Sequence, residues 1–139
     1  MMTHRQAPIT SHRRRARLMT GPHSAGYRFS GRLWVDKNGE TYLAWGRVVL
    51  LERIRDQGSI SAAARSMDMS YRHAWQLVDS MNRLAPVSLV EKTTGGQRGG
   101  GAKLTAAGEA AIKEFWALTE DFGAWLKARR PRTSRGAGR

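Results

Sequence analysis

The 139-residue sequence has no cysteine, which excludes disulfides and thiolate metal sites. It has no run of about 18 apolar residues, so no membrane partner and no transmembrane helix are expected. Histidine is scarce: His4, His12 and His23 lie near the start, and His73 stands alone in the middle. No ligand spacing recurs among them, so neither a metal nor any other cofactor is expected. An apolar stretch is also missing behind Arg13–Arg15 and Arg17, where Leu18, Met19 and Thr20 run directly into Gly21 and Pro22. That excludes the usual secretory and twin-arginine export signals.

Acid is missing from both ends. Residues 1–28 hold six arginines and residues 127–139 hold six Lys or Arg, with no Asp or Glu in either. The intervening residues carry twelve basic and eleven acidic side chains, so the net charge of +13 resides almost wholly at the ends. Such ends have little apolar surface to set against chain entropy. Residues 1–28 and 130–139 therefore read as disordered basic tails around one domain at 29–129. They would bind a polyanion with little sequence preference and a strong dependence on salt. The plainer alternative is that they are solvated and only aid solubility.

What is present is a core-forming composition, 40% hydrophobic with five tryptophans. Its centre is Gly58–Leu84, which reads as two short helices joined at Met67-Asp68-Met69. Ser59 or Ser61 starts the first helix, and Ser61 is a fair N-cap. The triplet Ala62, Ala63 and Ala64 lets two helices cross closely. Ser70 caps the second helix. Its residues Ala74, Val78, Met81 and Ala85 share one face, and Arg72, His73, Gln76, Ser80 and Arg83 fall on the other. Polar side chains at the start of a helix suit the DNA major groove. Trp75 borders the apolar face and is expected in the core. Tyr71 can point its hydroxyl at a phosphate or pack inward, and His73 can contact DNA or remain solvated.

Around this centre, Leu33–Val35 and Thr41–Leu43 flank Asn38-Gly39, a hairpin signal. A helix follows from Arg47 to about Asp56. Val49, Leu50 and Ile54 should face inward, with Arg47, Glu52, Arg53 and Arg55 outward, and Gly58 should stop it. Beyond Pro86, Val87–Thr93 and Ala102–Leu104 read as strands around a glycine-rich basic loop. Together they form a wing able to lie along the backbone or put Arg98 into the minor groove. The loop fails the phosphate-binding pattern, because Ala102 follows Gly101 and Lys103 comes one place late. Gly95-Gly96-Gln97 matches the tripeptide of peptide-release hydrolases, a weak signal downstream of a helix-turn-helix, and no catalytic dyad accompanies it. Thr105 should cap a last helix running to about Arg129, roughly 37 Å long. Ala111, Phe115, Leu118, Phe122 and Trp125 form a heptad-like stripe on it. A homodimer interface is the favoured reading of that stripe, and packing on the chain's own hairpin is the alternative.

Gly58–Ala64, Met69–Trp75 and Val90–Thr105 together resemble the N-terminal domain of the ModE-type molybdate-responsive regulators and, more distantly, the LysR-type DNA-binding domain. The resemblance covers residues 30 to 128. It implies a fold that is mainly α with small β elements: a winged helix-turn-helix with an N-terminal β-hairpin and a long C-terminal dimerisation helix at 105–129. It implies a non-enzymatic, homodimeric transcription regulator that binds palindromic double-stranded DNA. Such a protein would be cytoplasmic and nucleoid-associated. DNA-contact roles carry over to Ser70, Tyr71, Arg72, His73 and Gln76 in the helix and to Gly96, Arg98, Gly99 and Lys103 in the wing. The family has Gly in the turn where this sequence has Asp68, which tolerates the left-handed conformation. Full-length relatives carry C-terminal molybdate-binding domains, whereas these residues end in an arginine-rich tail, so molybdate binding is not expected. The competing reading is a nonspecific architectural or RNA-binding protein driven by the basic ends.

Overall fold

A computed structural model describes residues 18–94 and 100–132. In chain order the elements are β1 (Met19–Thr20), β2 (Ser30–Gly31), β3 (Trp34–Lys37), β4 (Glu40–Ala44), α1 (Trp45–Gln57), α2 (Ile60–Ser66), α3 (Tyr71–Leu84), β5 (Val90–Thr93), β6 (Gly101–Leu104) and α4 (Ala106–Lys127). The strands form three separate antiparallel pairs: β1 with β2, β3 with β4, and β5 with β6. The chain is thus mainly α with small β elements, a winged helix-turn-helix preceded by a hairpin.

Local chemistry sets most boundaries. Asn38 and Gly39 both have positive φ, 52° and 85°, the two-residue turn whose twist matches the flanking strands. In β4, Tyr42 is the extra residue where the register shifts, which leaves Leu43 opposite Val35 and turned into the core. Helix α1 ends at Gly58, whose φ of 76° is left-handed and whose N–H donates to the Ile54 carbonyl. The α2 cap is Ser59 rather than Ser61: its hydroxyl accepts from the Ala62 N–H, while Ser61 sits inside the helix and accepts from Arg65. Asp68 takes φ 53° in the turn, a left-handed conformation that aspartate tolerates where the resembled family has Gly. Ser70 and Thr105 cap α3 and α4 through the N–H groups of His73 and Gly108.

The core gathers one face of each helix and the inner strand residues. Val48, Leu50, Leu51, Ile54, Ala63, Ala74, Met81 and Phe115 are fully enclosed in it. Helix α1 runs through the middle, so Val48–Leu51 are buried on every side and no single inward face exists. That corrects one expectation. Arg53 points inward and is only 5% exposed. Its Nη1 donates to the Ser66 hydroxyl at 2.8 Å and to the Ser66 carbonyl at 3.3 Å. The guanidinium is thus placed at the C-terminal end of α2, where free carbonyls favour a cation.

The long helix also departs from expectation. Ala111 and Phe115 are 7% and 0% exposed within the chain's own core, so they offer no surface to a second copy. Gly31 of β2 lies against the Phe122 ring, and Gly21 lies against the Leu126 carbonyl. A side chain at either glycine would collide, which is why the strap of residues 18–31 can seat on α4. Residues 18–28 were grouped with the basic tail. They are instead ordered by β1–β2 pairing and by the bonds between Ser24 and Tyr27. Leu118 and Trp125 remain exposed, the latter with Arg129 4.0 Å above its ring. Among the described residues, no helix is long and apolar enough to cross a membrane.

Candidate nucleic-acid interface

The candidate surface is the N-terminal half of α3 together with the wing. Ala74, Val78, Met81 and Leu84 fill the core-facing positions of α3. Ser70, Tyr71, Arg72, His73 and Gln76 are all exposed on the outer side, as the spacing requires. Among the described residues, the side chains of Arg72, His73 and Gln76 make no hydrogen bond or ion pair with the protein, so their donors and acceptors are available.

The polar face is not uniform along its length. Arg47 donates to the Ser80 hydroxyl at 3.0 Å. Arg83 makes a two-pronged pair with Glu40, at 3.1 and 2.7 Å. The hydrogen bonds and charge of Arg83 hold the Glu40 carboxyl below the usual carboxylate range, and the Arg83 guanidinium rises in turn. Arg47 is lowered by burial, against the pull of Glu40. Ser80 and Arg83 are thus committed to α1 and the β3–β4 hairpin, and only the first half of the face is free.

Trp75 is a further correction. It was expected in the core but is 40% exposed, because the inward row of α3 is already filled on either side of it. Tyr71 is 53% exposed, which removes the inward alternative for its ring.

The wing is held to the helix-turn-helix by contacts that sequence patterning did not reveal. The Asn82 Oδ1 accepts from the Leu89 and Val90 N–H groups, and its Nδ2 donates to the Val90 carbonyl. One side chain late in α3 therefore fixes where the wing begins. Ala102 N–H donates to the Gly58 carbonyl, tying β6 to the end of α1. Thr105 donates its hydroxyl to the Ser88 carbonyl. The first strand is shorter than expected, starting at Val90 rather than Val87. Lys103 is exposed on β6, facing its cross-strand partner Glu91 at 3.4 Å. Gly96, Arg98 and Gly99, and with them the Gly95-Gly96-Gln97 tripeptide, lie outside the described residues. No group of three or more His, Asp or Glu among the described residues is placed to hold a metal ion.

Comparison with known proteins agrees with this geometry. Residues 45–109, from the start of α1 to the first turn of α4, match the family model of the bacterial regulatory helix-turn-helix protein, lysR family. The chain is 40% identical over 95 residues to the molybdenum transport protein ModE of Azotobacter vinelandii, covering 68% of this chain and 35% of that protein. It is 49% identical over 72 residues to the molybdenum-pterin-binding protein MopB of Rhodobacter capsulatus, covering 52% of this chain and 27% of that protein. It is 42% identical over 74 residues to the DNA-binding transcriptional dual regulator ModE of Escherichia coli K12, covering 53% of this chain and 28% of that protein. The chain thus spans only about a quarter to a third of these relatives' length. Residues 45–109 are a LysR-type helix-turn-helix domain, of the kind carried by the ModE regulators.

Proposed function

We propose that this chain is a DNA-binding transcriptional regulator that reads a specific duplex site with α3 and steadies itself on the phosphates with its wing. One observation carries the reading. The first half of α3 presents Arg72, His73 and Gln76 free and exposed, while the inward row is buried in the core and Ser80 and Arg83, further along the polar face, are held by other elements. Arginine suits the guanine edge and glutamine the adenine edge in the major groove. Ser70 and Tyr71 at the helix start, and Lys103 on the wing, are the phosphate contacts in this reading, supported by their exposure. Gly96, Arg98 and Gly99 are proposed as the wing-tip contacts on the strength of the family resemblance. In this reading the chain works in the cytoplasm, on the nucleoid.

We further propose that it acts as a homodimer on an inverted repeat. With Ala111 and Phe115 enclosed, the edge of α4 bearing Leu118 and Trp125, beside Phe122, is the part left for a second copy. A two-fold pair would set two copies of α3 about 34 Å apart on one face of the duplex.

Selection of binding sites from random duplexes at near-physiological salt tests both statements. Enrichment of an inverted repeat, with half-sites one helical turn apart, is the expected result. Arg72→Ala should then relax preference at one base pair of each half-site, and an equal loss on all sequences would make Arg72 a phosphate contact. The charge concentrated at the two ends favours a second reading, a nonspecific nucleic-acid coat. That reading predicts no enrichment and an affinity that falls steeply as salt rises.

A further inference from the structure

Trp75 and Tyr71 stand one turn apart on α3, and Arg72 and Gln76 form the neighbouring row. The four side chains line one shallow notch of about 370 Å³. Both residues are substantially exposed, Trp75 at 40% and Tyr71 at 53%. Among the described residues, neither ring stacks on another and neither donates its indole N–H or hydroxyl. The indole lies outside the core cluster, on a helix whose inward row is complete, and large apolar side chains grouped on a surface mark a contact site.

The chemistry of the neighbouring row says which contact. Arginine and glutamine address the acceptor and donor groups of purine edges. Neither can read the C5-methyl of thymine, which has no polar handle and responds only to apolar surface. An adenine held by Gln76 brings a thymine across the base pair, with its methyl in the same groove. An aromatic surface beside Gln76 is what that methyl needs. We infer that Trp75 is a specificity-determining residue of α3, its indole covering the C5-methyl of a thymine next to the bases addressed by Arg72 and Gln76. The inference rests on the DNA-reading role proposed above for the same helix.

The test uses the full chain and the half-site recovered by selection. Each thymine is replaced in turn by deoxyuridine, which removes the methyl and keeps the base pair. The wild type should lose roughly fourfold in affinity at one thymine per half-site, the worth of one buried methyl group. In Trp75→Ala that replacement should cost nothing, while preference at the other base pairs persists. Trp75→Gln, which suits the helix but lacks the aromatic face, should behave the same way. Deoxyuridine penalties that are equal in the wild type and both variants would overturn the inference. So would variants that bind the full site as tightly as the wild type, because Trp75 would then face something other than DNA. A wild type that enriches no site is a different failure, seen before any variant is made, and it removes the DNA-reading role itself.

Discussion

Asn82 and Gly108 show how single side chains, or their absence, aim the interface. Asn82 satisfies the Leu89 and Val90 N–H groups and one carbonyl from a single amide. In Asn82→Ala those buried donors lose their partner, which should cost about 1–3 kcal/mol. Denaturant titration should show that loss, and affinity for the selected site should fall beyond it because the wing is no longer held to α3. Gly108 lies against the Leu89 carbonyl, where any Cβ would collide with backbone. Gly108→Ala should therefore destabilise by about 1–3 kcal/mol, although alanine is the better helix former. An unchanged melting temperature would show that α4 can shift away from the β5 approach at no cost.

Among the elements, the β3–β4 hairpin is tied to the far end of α3 by Glu40 and Arg83. The Glu40 carboxyl titrates below its ordinary value of 4.5, so the pair adds stability above that pH and loses it as pH falls through the lowered value. Both groups lie at the surface, so the effect is small. Glu40→Gln should melt slightly below the wild type at pH 7, and the two should converge once the pH has fallen below the lowered value. A difference that persists in acid would assign the effect to packing of the hairpin. The same element scale explains the stripe on α4. Its heptad spacing is real, but Ala111 and Phe115 serve the core, Phe122 serves the strap, and only Leu118 and Trp125 remain open.

For the whole molecule, the question is how charge divides between folded body and ends. Residues 1–17 carry five arginines, and residues 133–139 carry two more. Deleting both segments leaves every described element intact. The slope of log affinity against log salt should become shallower, by about 0.9 for each phosphate contact removed, with the preferred site unchanged. Extending the deletion through residue 28 removes β1 and the Gly21 seat on Leu126, so the melting temperature should drop as well. Equal melting temperatures for the two deletions would mean that the strap adds nothing to stability.

The sequence by itself determined the features that depend on a few adjacent residues. Asn38-Gly39 specified a turn, Gly58 a helix stop, Ser70 and Thr105 helix starts, and Met67-Asp68-Met69 the turn between α2 and α3. These rest on backbone conformation and on hydrogen bonds spanning three or four positions, so the helix-turn-helix and the exposed residues at the start of α3 were legible. Which face of each helix meets water depends instead on what covers it, and that is non-local. Arg53 went inward because the end of α2, thirteen residues away, offers it carbonyl and hydroxyl oxygens. Trp75 stayed outside because its neighbours already fill the core. The free face of α3 shrank to its first half because Glu40 and Arg47, from two other elements, hold Arg83 and Ser80. Residues 18–28 separate from the basic tail because Gly21, together with Gly31 of β2, lets backbone lie against α4. Local pattern set the elements, and long-range packing decided which of their side chains remain free to bind.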